Sequence, residues 1–396
     1  MKAKFINKIF FNNVLQTLTT PLGALSLCVF CFIVYIYCEA IIRGPVGIDL
    51  VMRITETKYF LKGVNPFDAF VERVLIDASL GKPAAYTPIS YLLMSPFSLI
   101  QNKEIILVIY SIADILCLYY GLYLLRKILK VRYTFVDPFL VLIVSISMIR
   151  LDHLVYLNYG IISIFGLILA LYGGQYKKNY AAIIVGSILV SLKPSLLLPL
   201  FVSLILTKNI KIIIIVLLTN ITALAIASAV VNESGINLIL QLKEAQSIFT
   251  AHGFYRWEGF FLFLRDRIGT HATAVGLIAT TICMFICRRS MLKSTAININ
   301  IIIIMSLAFF YNQEHAWTMA YSILAYCLYS IHKARQLIYP TLILIVYMLM
   351  PSMYVNIEAQ GFIHYMDYHN FVRFGLLILV GVWILNVQNK SSLATD

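Results

Sequence analysis

The sequence predicts an all-α fold, a polytopic bundle of transmembrane helices, and three observations carry that prediction. Of the 396 residues, 61% are hydrophobic and only 12% charged, whereas a soluble domain carries about 25% charged residues. The apolar residues come in blocks of about 15–22, the length of a helix crossing the hydrocarbon layer. Within the blocks apolar and polar residues do not alternate, which argues for helices over the strands of a closed barrel. Helices satisfy their backbone polar groups within their own segment, as lipid demands.

The first block, 21–42, follows Lys2, Lys4 and Lys8. It is too long for the apolar region of a signal peptide and reads as an uncleaved first span. Further spans are expected at 104–125, 134–149, 160–174, 180–206, 211–231, 270–287, 296–311, 317–331, 337–353 and 370–387. Lys193-Pro194 interrupts 180–206, so that block reads as two short legs. The expectation is about 11–13 spans in a single domain, 1–396. The stretch 86–100 reads either as a re-entrant segment or as the first limb of a bent helix leading into 104–125.

The net charge of +13 does not point to nucleic acid, because the positives gather in short clusters between apolar blocks. With the N-terminus inside, one set of loops collects Arg126, Lys127, Lys130, Arg132, Lys177, Lys178, Lys208, Lys211, Arg288, Arg289, Lys293, Lys333, Arg335 and Lys390. The opposite loops 312–316 and 354–369 contain no Lys or Arg. The expected location is therefore the inner (plasma) membrane, multi-pass. Two long connections, 43–85 and 232–269, then face the exterior or periplasm. All seven cysteines lie inside apolar blocks; Cys28 and Cys31 have redox spacing but no supporting strand–helix context, so packing is the expected role.

The connection 43–85 holds the most chemistry. Asp49 can cap a helix start, and Gly63 with Pro66 marks its stop. Between them Val51, Ile54, Tyr59 and Leu61 mix with charges, as in an amphipathic helix lying at an interface. Asp49 then stands at the mouth of the bundle, either as a simple cap or as a reactive carboxylate. Tyr86-Thr87-Pro88 and Pro96 suit a cavity wall made from a broken helix, or an ordinary proline-kinked span. A lysine inside an apolar block, as at Lys193, needs a partner or cavity, or snorkels to the interface. Arg53 is a phosphate ligand or a surface arginine, and His315 a ligand or an interfacial residue. Arg256, Trp257 and Glu258 in the second connection suit a sugar face, and equally an aromatic belt. Asp137-Pro138 reads as a helix start, while Asp114 lies within a span.

In their order, Asp49, an amphipathic helix, Gly63-x-x-Pro66-Phe67, Tyr86-x-Pro88 and Pro96 resemble the polyprenol-phosphate-sugar-dependent GT-C glycosyltransferases, of the family 87 type that includes mannosyltransferases. The stretch 156–206, with Lys177, Lys178 and Leu192-Lys193-Pro194, is also similar, as is Asn312-Gln313-Glu314-His315-Ala316-Trp317 ahead of a late span. The family's Gly-Gln-x-Asn turn is replaced here by Leu157-Asn158-Tyr159-Gly160, and its Ser-Pro before the late histidine is absent. The resemblance implies an inverting glycosyltransferase that moves a hexose, mannose or glucose, from a polyprenyl-phosphate sugar to a glycan or glycolipid acceptor. It implies Asp49 as catalytic base and places His315 at the outer end of a late span, where it can contact the donor phosphate; Lys193 and Arg53 are further candidates for the phosphate, and Tyr86, Arg256, Trp257 and Glu258 for the sugar. An Asp with an ordinary pKa of about 4 is ionised at neutral pH and ready to accept a proton.

No Asp-x-Asp, Walker A or Gly-x-Gly-x-x-Gly motif occurs, so no nucleotide sugar, ATP, cofactor or metal is expected. The rival readings are an O-antigen polymerase-type glycan polymerase, expected to use arginines in late outer loops, and a lipid-linked oligosaccharide flippase or transporter, expected to show internal symmetry.

Overall fold

A computed structural model describes residues 20–43, 47–68, 87–150, 157–251, 272–309, 316–331 and 335–349, with short pieces at 375–376, 379–384 and 386–387. In chain order the helices are α1 (Pro21–Arg43), α2 (Ile48–Leu61), α3 (Pro88–Ser98), α4 (Lys103–Leu129), α5 (Val136–Arg150) and α6 (Gly160–Leu171). A π-helical turn, Tyr172–Lys177, extends α6. Then follow α7 (Tyr180–Val190), α8 (Pro194–Leu206), α9 (Ile210–Val231), α10 (Gly235–Ala251) and α11 (Ala272–Ile286). The series closes with α12 (Arg288–Lys293), α13 (Thr295–Phe309), α14 (Ala316–Ser330) and α15 (Ile338–Leu349). Among the described residues no strand occurs.

Three of these helices are long and apolar enough to cross a membrane: 21–39 within α1, all of α4 and all of α9. At 1.5 Å per residue, the 27 residues of α4 extend about 40 Å, beyond a hydrocarbon layer of about 30 Å. The other apolar helices are shorter, and several lie at the centre of the bundle. The buried set in α6 runs from Gly160 through Leu171 with a single gap at Leu169, and α13 and α14 are buried along most of their described length. The flanking helices are two-faced. In α1, Val29, Ile33, Tyr37 and Ile41 recur every fourth residue and are buried, while Leu27, Phe32 and Tyr35 are exposed. Along α9, Ile214, Leu217, Leu218, Ile221 and Ile226 are exposed. Large apolar side chains outside on this scale match an apolar solvent. Cys28 and Cys31 lie on this exposed face of α1 rather than in packing, unlike the buried Cys327.

Helix ends meet in two sets. In the first, Ser26 of α1 hydrogen-bonds Tyr133 at 2.6 Å, just past the end of α4. There too Tyr329 of α14 donates to Asp137 of α5 at 2.5 Å, and Arg288 Nε donates to the Leu206 carbonyl at 2.9 Å. The first set also holds Arg126, Lys178, Lys208 and Lys211, and we refer to it as the basic end. Asp137 starts α5 as expected, by accepting from the Thr134 backbone N–H at 2.8 Å. In the second set, Thr87 meets Ser191, Ser195 meets Ser306, and Tyr110 meets Asn158.

Four sequence expectations need correction. Asp49 is not the cap of α2: Gly47 holds that place in a left-handed conformation, φ 73°, and Asp49 falls in the first turn. The buried face of α2 is Leu50, Arg53, Ile54, Thr57 and Phe60, with Leu61 exposed. The stop is as expected, Gly63 adopting φ 76° just past the Lys62 cap. Residues 88–98 form a separate 11-residue helix packed chiefly on α2 and α9, not the first limb of α4. The connection 232–269 contains a helix, α10. Its Leu238 and Ala245 are buried, with Leu242 packed beside them, against Phe60, Phe67, Tyr91 and Val231.

Candidate functional site

The end opposite the basic one gathers the described candidates around three local devices. The first is the break between α7 and α8. Pro194 has no N–H and disfavours helical backbone in the residue before it, so Lys193 is extended at φ −121°, ψ 97° and caps α8. Lys193 is only 7% exposed. The released groups of this break are taken up by neighbours: Thr87 Oγ1 donates to the Ser191 carbonyl at 2.9 Å. Asn220 Nδ2 of α9 donates to Ser191 Oγ, also at 2.9 Å. One serine thus ties α3, α7 and α9 together, two residues from Lys193.

The second device is the buried face of α2. Arg53 is 3% exposed and donates from Nη1 to Glu56 Oε2 at 2.7 Å, one turn along the helix. Burial removes the surface-arginine reading, and the Glu56 contact shows that part of the guanidinium is already committed. Tyr91 stacks on Phe60 with ring centroids 5.5 Å apart, and Arg53, Glu56 and Tyr159 all lie within electrostatic reach of it. Tyr159 in turn sits 6.5 Å, centroid to centroid, from Tyr110. The turn preceding α6 is closed by Asn158 Oδ1, which accepts from the Gly160 N–H at 2.8 Å. Gly47 brings the start of α2 against this turn. A Cβ at Gly47 would come 2.1 Å from a Leu107 methyl and 3.3 Å from one of Leu157.

The third device is an apolar groove of about 520 Å³ between α3, α7 and α9, lined by Ile89, Leu92, Ile188, Leu218, Thr222 and Ile226 among others. Its three walls are the ones joined through Thr87, Ser191 and Asn220. The groove is apolar and of a size to hold an aliphatic chain.

A polar bridge locks the two long connections together beside this region. Asn65, 5% exposed, donates from Nδ2 to Glu233 Oε1 at 3.0 Å and to Gln241 Oε1 at 2.5 Å. Its Oδ1 accepts from the Phe67 N–H at 2.9 Å, while Gln241 Nε2 donates to Asp68 Oδ2 at 3.2 Å. Removing Asn65 leaves buried polar groups unmatched, a loss of about 1–3 kcal/mol. Asn65→Ala is expected to lower the thermal unfolding temperature of the purified protein, and Asn65→Asp to do the same by setting a second carboxylate beside Glu233. Melting curves identical to wild type for both variants would show that the bridge does not hold the connections.

Arg53 lies within electrostatic reach of Tyr91 on α3, and Thr87 at the start of α3 is bonded to Ser191, two residues from Lys193. Of Asp49 only the backbone position, in the first turn of α2, is described. His315, Tyr86, Arg256, Trp257 and Glu258 lie outside the described residues. Sequence reasoning missed Glu56, whose spacing of three from Arg53 is an available helical ion-pair signal, and Tyr91, Tyr110, Asn158 and Tyr159. Asp114, noted within a span, is fully buried and lies within electrostatic reach of Tyr37 and Tyr321. Among the described residues no group of three or more His, Cys, Asp or Glu could hold a metal ion. Compared with known proteins, the chain matches no family model, no curated protein and no solved structure.

Proposed function

We propose that the chain is a polytopic GT-C-type glycosyltransferase that moves a hexose from a polyprenyl-phosphate sugar to a glycan or glycolipid acceptor on the outer side of the membrane. The observation that carries the reading is the apolar groove between α3, α7 and α9, whose walls are tied at Ser191, two residues along the chain from the buried Lys193. A polyprenyl chain is a long aliphatic ligand, and its phosphate needs a cation nearby.

In the proposed reaction the Asp49 carboxylate takes the proton of the acceptor hydroxyl. The acceptor oxygen attacks the anomeric carbon with inversion, and the bond from that carbon to the phosphate oxygen breaks. Polyprenyl phosphate leaves with the electron pair. Lys193, His315 and Arg53 offset the charge gathering on the phosphate. Tyr86, Arg256, Trp257 and Glu258 face the sugar.

The direct test incubates membranes containing the protein with a radiolabelled polyprenyl-phosphate hexose. Transfer of label to a glycan or glycolipid is the expected result. Translocation of the intact donor without bond formation would replace the proposal with a flippase. A second expectation concerns the phosphate: Lys193→Ala and His315→Ala should each lower turnover about tenfold or more, as loss of a charge-stabilising donor does. Steady-state kinetics unchanged in both variants would remove the assigned phosphate site.

A further inference from the structure

At the basic end, the turn joining α6 to α7 faces the turn joining α8 to α9 across a second cavity of about 380 Å³. Lys178, Lys208 and Lys211 line it, with Asn209 and Tyr180 between them. Two of these lysines occupy left-handed backbone, Lys178 at φ 54° and Lys208 at φ 58°, where residues other than glycine and asparagine are uncommon. Lys178 closes the π-helical turn Tyr172–Lys177, and π turns are frequent at functional sites. Lys211 Nζ donates to the Tyr180 hydroxyl at 3.1 Å and lies 5.7 Å from the ring centroid, holding its charge across the cavity.

The elements that line the cavity supply these lysines with no carboxylate. Between Asp152 and Glu233 there is not one Asp or Glu, so α6, α7, α8 and both turns carry none, and neither does α9. The π turn also packs against α4 and α13, and the charged residues near the basic ends of those helices are Arg126, Lys127 and Lys293. An anion for this cavity therefore has to come from outside these elements. The remaining lining is aliphatic, with Ile183, Ile210 and Ile212 beside the lysines. Ile210 is 63% exposed and Tyr180 55% exposed at its rim. A free anion uses only the basic half of such a cavity, whereas a phospholipid uses both halves, phosphate on the lysines and acyl chain along the isoleucines.

We propose that this cavity is a binding site for the headgroup phosphate of an anionic phospholipid. Basic pockets between membrane helices hold such headgroups, and here the pocket clamps α7 to α9, two of the three walls of the groove. The proposal does not depend on glycosyl transfer.

The experiment titrates the purified full-length protein, in neutral detergent, with fluorescent phosphatidylglycerol and in parallel with fluorescent phosphatidylcholine. The wild type is expected to bind phosphatidylglycerol about tenfold or more tightly than phosphatidylcholine, with the preference weakening as salt rises. The variant combining Lys178→Asn, Lys208→Asn and Lys211→Gln is expected to lose the preference; asparagine is chosen because it tolerates the left-handed backbone. Lys62→Gln, at the opposite end, is expected to keep it. Equal affinities of the wild type for the two lipids would overturn the proposal without reference to any variant. So would an undiminished preference in the triple variant with wild-type helical circular dichroism. Complete displacement of phosphatidylglycerol by millimolar inorganic phosphate would overturn it in favour of a free-anion site.

Discussion

Purified Asp49→Ala protein is expected to lose hexose transfer by about 10²–10⁴-fold, the range that a positioned general base contributes, while inserting into membranes and melting like the wild type. The backbone argues that the substitution is structurally mild. Gly47, not Asp49, caps α2. The helix is secured by its buried face, Leu50, Ile54 and Phe60, and by Gly63 at its stop. Asp49→Asn keeps the shape and removes the proton acceptor, so it should fall by a similar factor. Because the donor is held elsewhere, by the groove and Lys193 on the proposed reading, the loss should appear in kcat with donor binding little changed. Wild-type turnover in Asp49→Ala would end the assignment of the base. A loss of melting temperature equal to the loss of activity would instead make Asp49 a structural residue.

The fold was legible where local chemistry is strong. Pro194 cannot continue a helix and bends the residue before it, so the interruption at Lys193 could be read from two letters. Gly63 followed by Pro66 was equally plain as a stop. The expected boundaries of 104–125, 211–231 and 296–311 lie close to α4, α9 and α13, because long unbroken apolar blocks leave little choice. The failures have physical causes too. Helix α10 mixes Asn237, Gln241, Lys243, Glu244 and Gln246 into its apolar residues, and its stripe of Leu238, Leu242 and Ala245 gains meaning only against Phe60, Phe67 and Tyr91 from distant parts of the chain. Gly47 was overlooked as a cap because Asp49 has the better capping propensity; packing against Leu107 and Leu157 decided otherwise. Aromatic contacts such as Tyr91 on Phe60, and Tyr110 beside Tyr159, join residues dozens of positions apart and leave no periodic trace. The π turn at Tyr172–Lys177 reads in sequence as an ordinary loop. For the site, Lys193 stands out as a charge inside an apolar block and Arg53 by its place one turn beyond Asp49, while Glu56 was passed over although its spacing from Arg53 is helical.

The second large effect is expected at the contact between α6 and α7. Gly166→Ala and Gly186→Ala are each predicted to destabilise the protein by about 1–3 kcal/mol, the usual loss on overpacking a tight core, and Gly186→Leu to prevent accumulation of folded protein. A Cβ at Gly186 would lie 2.4 Å from the Ala170 backbone nitrogen and 2.7 Å from the Gly166 carbonyl oxygen. A Cβ at Gly166 would lie 2.5 Å from the Val190 backbone nitrogen. These neighbours are main chain, so no rotamer change relieves the overlap and the helices must part. Small residues at such a crossing let two apolar helices associate through backbone contact, where burial from water gives no drive. Parting them also shifts the end of α7, and with it Ser191, which ties α3 and α9, and Lys193 beyond it. Donor-dependent turnover should therefore fall in Gly186→Ala even at temperatures where the variant remains folded. Gly375 is the control, since a Cβ there meets nothing within 4 Å, and Gly375→Ala should melt and turn over as the wild type does. Equal melting temperatures for Gly186→Ala and Gly375→Ala would mean that the close crossing of α6 and α7 is absent from the folded protein.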